Sequence, residues 1–546
     1  NGRCWRTPLR SSGDRDHDEI KQHKVYETNN GRHVTGIPCG WGFFCPLLRL
    51  ICELICERVC LNSACSGVLA RVERSTLSIM DKMAIPALST SATASFEDLE
   101  RQANLAEEPL LQLAFSDSNH GSQTTTSASQ RPTDPYKFVG FTMFLLGIAS
   151  LLPWNFFITA NDYWNYKFRD PNVPANSTEK TELQRSFNAY LAIASKLPYI
   201  LFLVVNTAIS KWVRCSLRVG YPLLGCTLLF IATAALVKVN TDNYQNEFLI
   251  ATLVIVVLIN VVCGFLQGGA TGLAGVLPEK YMAINVLGQA TGGVFATLCQ
   301  LATLLFDAHP TDAALVYFGI AVIVLILTQI LFGILINTEF YRYYMHQSPP
   351  VSVSEKTASA PAMKTPFWAI FVAGWKFYVA TVLIFWVTLA AFPAITALIA
   401  PVSEVVTTSP LMQKLFVTLA CFVTFNFTDL FGRLLAKHVR VSAKHDTGIL
   451  LMAAGRAIFI PLLLICNVDP SNRYWTPVLL QSDWAFVIIM MLFGLTNGYL
   501  TTFTLTYASK SCSKEYQEVA GSLAAVFLGI GLALGSLSSY GTVQLL

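Results

Sequence analysis

From residue 138 onward, long apolar runs alternate with short polar breaks. The runs fall at roughly 138–160, 187–209, 217–237, 248–276, 283–305, 313–336, 369–397, 412–436, 448–466, 484–507 and 519–541. About 20 apolar residues span the hydrocarbon core of a bilayer as a helix. A chain in lipid must satisfy its own backbone hydrogen bonds, so runs of this length read as helices. The pattern predicts an all-α polytopic membrane protein with 11 transmembrane helices. The longest polar break after the first run, 337–366, divides them six plus five. The expected organisation is an N-terminal bundle over 138–336, a disordered cytosolic linker over 337–366 and a C-terminal bundle over 367–546.

Upstream of 138 the pattern changes. Residues 37–70 are apolar but broken by Arg49, Glu53, Glu57 and Arg58, so they lack the uninterrupted core of a signal peptide. Segment 1–82 reads as a Cys-rich stretch outside the working protein, which is expected to begin near Met80 or Met83. Segment 83–137 is rich in Ser, Thr, Ala and Gln and reads as a disordered cytosolic tail. Seven of the 14 cysteines lie in the first 65 residues. Their cluster "CELICERVC" has no companion His and no zinc-type spacing, so no metal is expected. The other cysteines sit singly, mostly in apolar runs, as small packing residues.

Composition sharpens the class. The chain is 53% hydrophobic and only 13% charged, with mean hydropathy +0.49, against about 25% charged in soluble domains. The net charge of +4 is small and the basic residues are scattered, so no nucleic-acid partner is expected. A phosphate-cradling Gly loop, an HExxH pair and a Ser nucleophile elbow are all missing from the sequence, so neither enzyme activity nor a cofactor is expected. Lys and Arg mark the cytosolic loops: Lys211, Arg214 and Arg218, then Lys280, then Arg342, Lys356 and Lys364, then Lys437, Arg440 and Lys444, then Lys510 and Lys514. The opposite loops are poorer. This orientation puts the N-terminus in the cytosol and the C-terminus outside. Asn176 begins an Asn-Ser-Thr sequon in the first outer loop and is the expected glycosylation site.

Several polar residues interrupt the runs. Phe422, Asn426, Asp429 and Arg433 are spaced four, three and four apart, which makes one helical stripe. Asp429 and Arg433 can pair at i, i+4, which offsets the insertion cost of about 2.5–3.5 kcal/mol per charge. Such a stripe either locks two helices or contacts a polar substrate. Trp154 and Asn155 follow Pro153, Gln267 stands beside Gly268 and Gly269, and Lys196 and Arg456 are lone charges in other runs. An aromatic face, an amide and an Asp–Arg pair suit a flat base joined to a sugar, although a hexose or a peptide also fits. Runs four and five, "FLQGGATGLAGVLPEKY" then "GQATGGVFATL", echo runs ten and eleven, "FGLTNGYLTTFTLTYASKS" then "VAGSLAAVFLGIG". Paired halves of this kind suit an alternating-access carrier, while close packing through small residues explains the same echo structurally.

"SLLPWNFFITANDYW" (150–164), "GFLQGGATGLAGVLP" (264–278), "FNFTDLFGR" (425–433), "NGYL" (497–500) and "GLALG" (531–535) resemble signatures of the equilibrative nucleoside transporters, solute carrier family 29, in their animal members. The resemblance runs from about 138 to 546. It implies a fold similar to the major facilitator class, facilitated transport of nucleosides of the adenosine and uridine class through a lipid bilayer, and function as a monomer. By position it implies cavity residues Leu151 and Trp154, a base-binding Gln267, and a ribose contact at Asp429 and Arg433 with Asn426 and Phe422 beside it. Phe392 and Leu532 match wall positions. Ile158 and Cys263 depart from residues common in the family, and the resemblance then implies weak inhibition by nitrobenzylthioinosine-type and dipyridamole-type drugs. Lys196 stands where family members are apolar or small; it is expected to face the cavity and reach an acid such as Asp429, or to snorkel. The expected location is the plasma membrane. "EEPLLQL" (107–113), similar to an acidic dileucine signal, keeps the endolysosomal membrane as the alternative.

Overall fold

The computed structural model describes residues 132–171, 181–306, 308–347, 367–469, 473 and 476–546. The Cys-rich segment, the dileucine-like motif, Asn176 and most of the linker lie outside the described residues. Helices follow the apolar runs closely: α1 Phe138–Thr159, α2 Asn161–Lys167, α3 Glu182–Ala208, α4 Cys215–Val237, α5 Gln245–Val276, α6 Glu279–Phe306, α7 Pro310–Leu335, α8 Glu339–Gln347, α9 Phe367–Ala391, α10 Glu404–Thr407, α11 Pro410–Val417, α12 Thr424–His438, α13 Asp446–Gly455, α14 Phe459–Leu464, α15 Asp483–Lys510 and α16 Gln517–Gln544. A π-helical turn, Thr418–Val423, fuses α11 to α12, and a 3-10 turn, Arg456–Ile458, joins α13 to α14. Among the described residues there is no β-strand, only two isolated bridges.

Local sequence explains the ends. Thr181 caps α3 in a reciprocal box with Gln184, each side chain accepting from the other's backbone N–H at 3.2 and 2.8 Å. Pro310 and Pro410 open α7 and α11, where the missing N–H costs nothing. Ten helices among the described residues are long and apolar enough to cross a membrane. The expected count was 11. The remaining candidate, α3, is 27 residues long but carries Glu182, Arg185, Lys196 and several amides, which dilute its hydropathy. The start of the linker also departs from the expected disorder. Residues 339–347 form α8, because Phe340 and Tyr341 bury themselves, Phe340 lying edge-on to Tyr281 at 5.4 Å.

The helices are apolar outward and more polar inward, as lipid demands. On α5, Ile250, Val254 and Leu258 form an exposed stripe, while Thr252, Val256, Asn260, Cys263 and Gln267 are buried. The principal pairings are α1 with α6, α9 with α16, α12 with α15 and α3 with α5; α16 against α3 and α5, and α6 against α12, join the two bundles.

Two glycines set how near the backbones come. A Cβ on Gly288 would stand 2.0 Å from the Phe144 carbonyl oxygen of α1, and one on Gly498 would stand 1.9 Å from the Asp429 carbonyl oxygen. Close helix contact replaces the hydrophobic drive that is missing between helices in lipid. Gly498→Val is therefore expected to abolish the folded, monodisperse protein in size-exclusion chromatography from detergent. A variant that elutes and melts like wild type would contradict this packing.

Candidate functional site

The site is built around α12 and the π turn before it. A π turn adds a residue to the helical repeat and frees carbonyls from the ladder. Here it carries Phe422, whose ring meets Phe392 at 5.5 Å, and Phe392 in turn stacks on Phe425 at 4.2 Å. Asn426 uses its Nδ2 to donate to the Phe422 carbonyl at 2.9 Å and to Thr297 Oγ1 of α6 at 3.0 Å, and so touches the other bundle.

Asp429 and Arg433 are 5% and 7% exposed. Arg433 Nε donates to Asp429 Oδ2 at 2.9 Å, and Arg433 Nη1 donates to the Val286 carbonyl of α6 at 2.6 Å. Asn497 Nδ2 donates to Asp429 Oδ1 at 2.6 Å. The Asn497 carbonyl accepts from Thr388 Oγ1 at 2.7 Å and from Arg456 Nη1 at 3.0 Å. Arg456 also donates to the carbonyls of Ile384 at 3.0 Å and Phe493 at 3.1 Å. One acid therefore bonds one guanidinium group directly and reaches a second through Asn497, while Arg456 Nε has no hydrogen-bond partner among the described residues. Removing one partner of such a pair costs about 3–5 kcal/mol.

A second group of expected site residues lies on α1, α3 and α5. Trp154 is half-buried, and the ammonium of Lys196 lies 3.5 Å from its ring centre. The expected reach of Lys196 to Asp429 is not what the structure holds: both Asp429 oxygens are taken by Arg433 and Asn497, and the ammonium rests on the indole. Gln267 is 1% exposed, and its Nε2 donates to Thr271 Oγ1 at 3.2 Å. Its Oε1 is buried without a hydrogen-bond partner among the described residues. A recess beside Trp154, about 10 Å³, is lined by Pro153, Phe157, Leu191, Val256, Ile259 and Asn260. A larger cavity of about 610 Å³ lies among Val402, Met412, Phe416, Leu419, Thr424 and Trp484 and includes none of the expected site residues.

Leu151 and Leu532 are half-buried on α1 and α16. Ile158 belongs to α1, but its side chain is outside the described residues. Cys263 is buried on α5. The structure thus groups Asp429 with Arg433, Phe392 with Phe422, and Trp154 with Lys196. Asn497 and Thr388 escaped the sequence reading, although "NGYL" marked the place; an Asn beside a Gly in an apolar run was the available signal.

At the end of the bundle where α5 meets α6, polar contacts seal the two halves. Arg218 pairs with Glu518. Lys510 Nζ donates to the carbonyls of Gly275 at 2.8 Å and Leu277 at 2.7 Å, capping the C-terminal end of α5. Ser522 Oγ donates to the Gly268 carbonyl at 3.0 Å.

Asn497→Leu removes one donor from Asp429 and one acceptor from Arg456. The expected cost is about 1–3 kcal/mol per orphaned group, read as a lowered thermal midpoint in detergent; an unchanged midpoint would contradict the network.

Comparison with known proteins gives one answer. The sequence model of the nucleoside transporter family matches residues 253–544. The chain is 32% identical over 426 residues to "Equilibrative nucleoside transporter 3" of Rattus norvegicus, covering 74% of this chain and 89% of that relative. It is 31% identical over 460 residues to "Equilibrative nucleoside transporter 1" of Homo sapiens, covering 76% and 98%. Among solved structures, it is similar to the major facilitator transporter FucP in the outward conformation with TM-score 0.42 and 13% identity, over 75% of this chain and 96% of that one. With its apolar helices and this shared sequence over most of its length, the chain is an integral membrane protein that belongs to the equilibrative nucleoside transporter family.

Proposed function

We propose that the protein carries nucleosides across a membrane down their gradient by alternating access. The observation that carries this reading is the buried Asp429–Arg433 pair, which is also tied to the other bundle through Val286. An acid and a base held at the seam between two bundles can exchange their internal bonds for ribose hydroxyls as the seam opens. In this reading the base lies against Trp154 and bonds the free carbonyl of Gln267, and the ribose bonds Asp429 and Arg433. Leu151, Ile158, Phe392, Phe422, Asn426 and Leu532 shape the walls. The contacts among Arg218, Glu518, Lys510 and Ser522 form the cytosolic seal. Because the solute binds from both sides, its gradient alone drives net flux. The N-terminus faces the cytosol, the C-terminus and a glycosylated Asn176 face outside, and a single chain in the plasma membrane suffices.

A structural role for the stripe is the second reading, favoured by the full set of partners that Asp429 already has. Uptake of a radiolabelled nucleoside panel in nucleoside-transport-deficient cells separates the two. Asp429→Asn is expected to cut uptake more than about tenfold, since breaking a buried pair costs about 3–5 kcal/mol. Normal uptake by a well-expressed Asp429→Asn protein would leave only the structural role. Uptake blocked by glucose and not by uridine would turn the reading to a sugar carrier.

A further inference from the structure

Lys196 is not used by the transport reading as it stands. Its ammonium sits 3.5 Å from the centre of the Trp154 ring, on the face that a stacked base would occupy. Among the described residues it has no acid within ion-pair distance and no hydrogen-bond acceptor. The acid that sequence offers, Asp429, is already shared by Arg433 and Asn497. The recess beside the indole is walled by Pro153, Phe157, Leu191, Val256 and Ile259, and its one amide, Asn260, donates back to the Val256 carbonyl at 2.8 Å. At about 10 Å³ the recess itself admits no base, so a base that meets the indole meets it on a ring face, and the ammonium covers one. A cation held only by a ring face has a weaker partner than an oxygen would give it.

We infer that Lys196 is a specificity-determining residue, which selects nucleosides whose base presents a carbonyl oxygen over those that present an amino group at the same position. This rests on the proposed function, with the base against Trp154. A base that slides onto the indole moves the ammonium off the ring face to the base's edge. An ammonium is donor-only, with three N–H groups and no acceptor. The oxo group of hypoxanthine, guanine or uracil accepts from it. The amino group of adenine or cytosine is itself a donor and brings its positive edge against the charge. A ring that loses a proton near neutral pH, as xanthine does in its nucleoside, offers the best match, because it supplies the missing negative charge. A site that pairs a buried polar group with one substrate rejects the analogue that lacks the complement.

The test uses the full chain in proteoliposomes and two matched pairs, inosine against adenosine and uridine against cytidine. Each pair exchanges an oxo for an amino group at one ring carbon. The wild type is expected to favour the oxo member in kcat/KM by about tenfold, with xanthosine the strongest competitor. Lys196→Met is expected to bring both ratios close to one while uptake persists, and Lys196→Arg to keep them. Should Lys196→Met fail to fold, Lys196→Gln and thermal stabilisation of the wild type by inosine against adenosine read the same preference. Ratios near one in the wild type, or ratios that survive in Lys196→Met, would overturn the inference and leave the transport reading intact. Absence of uptake for every nucleoside would overturn both.

Discussion

The structure depends on how one buried carboxyl group finds its hydrogen-bond partners. Asp429 lies inside an apolar bundle, where an isolated charge is far less stable than in water. Its two oxygens accept from Arg433 and Asn497, and Asn497 is fixed by Arg456 and Thr388. Four helices, α9, α12, α15 and the α13–α14 rod, thereby meet at one acid. The backbones must come close for such short side chains to reach. Gly498 on α15, next to Asn497 and packed on the Asp429 carbonyl, provides that approach. Charge, hydrogen bonding and backbone spacing are one constraint here, not three.

The same network crosses the seam between the bundles. Arg433 spends one donor on Asp429 and another on the α6 carbonyl of Val286. Asn426 likewise divides its amide between its own helix and Thr297. Further along, Lys510 and Ser522 donate to α5 carbonyls. Such contacts are individually modest, and a ligand with hydroxyls can replace them. The proposed carrier cycle needs this property: a seam made of polar bonds, set in a scaffold of packed apolar helices.

The polar groups of the site differ in how they are satisfied. Both Asp429 oxygens have internal partners, whereas Gln267 Oε1 and Arg456 Nε have none among the described residues and Lys196 has only an indole. In the proposed reading, Gln267 and Lys196 belong to the end that meets the base.

Much of this was legible in sequence because it is local. Run length and hydropathy fix helices in lipid, and the helix ends fall within a few residues of the apolar boundaries, from Phe138 to Gln544. The four, three, four spacing places Phe422 to Arg433 on one face, and the i, i+4 pair forms as spacing requires. Aromatic residues hidden in a polar linker were harder to see, so α8 was read as disorder. What only the tertiary structure decided is long-range. Asn497 meets Asp429 across 68 positions, and Lys196 settles on Trp154 rather than on the acid. Sequence shows that a charge must find a partner, since lipid offers none. Which partner it finds is set by which helices touch, and that follows from packing between segments far apart in the chain.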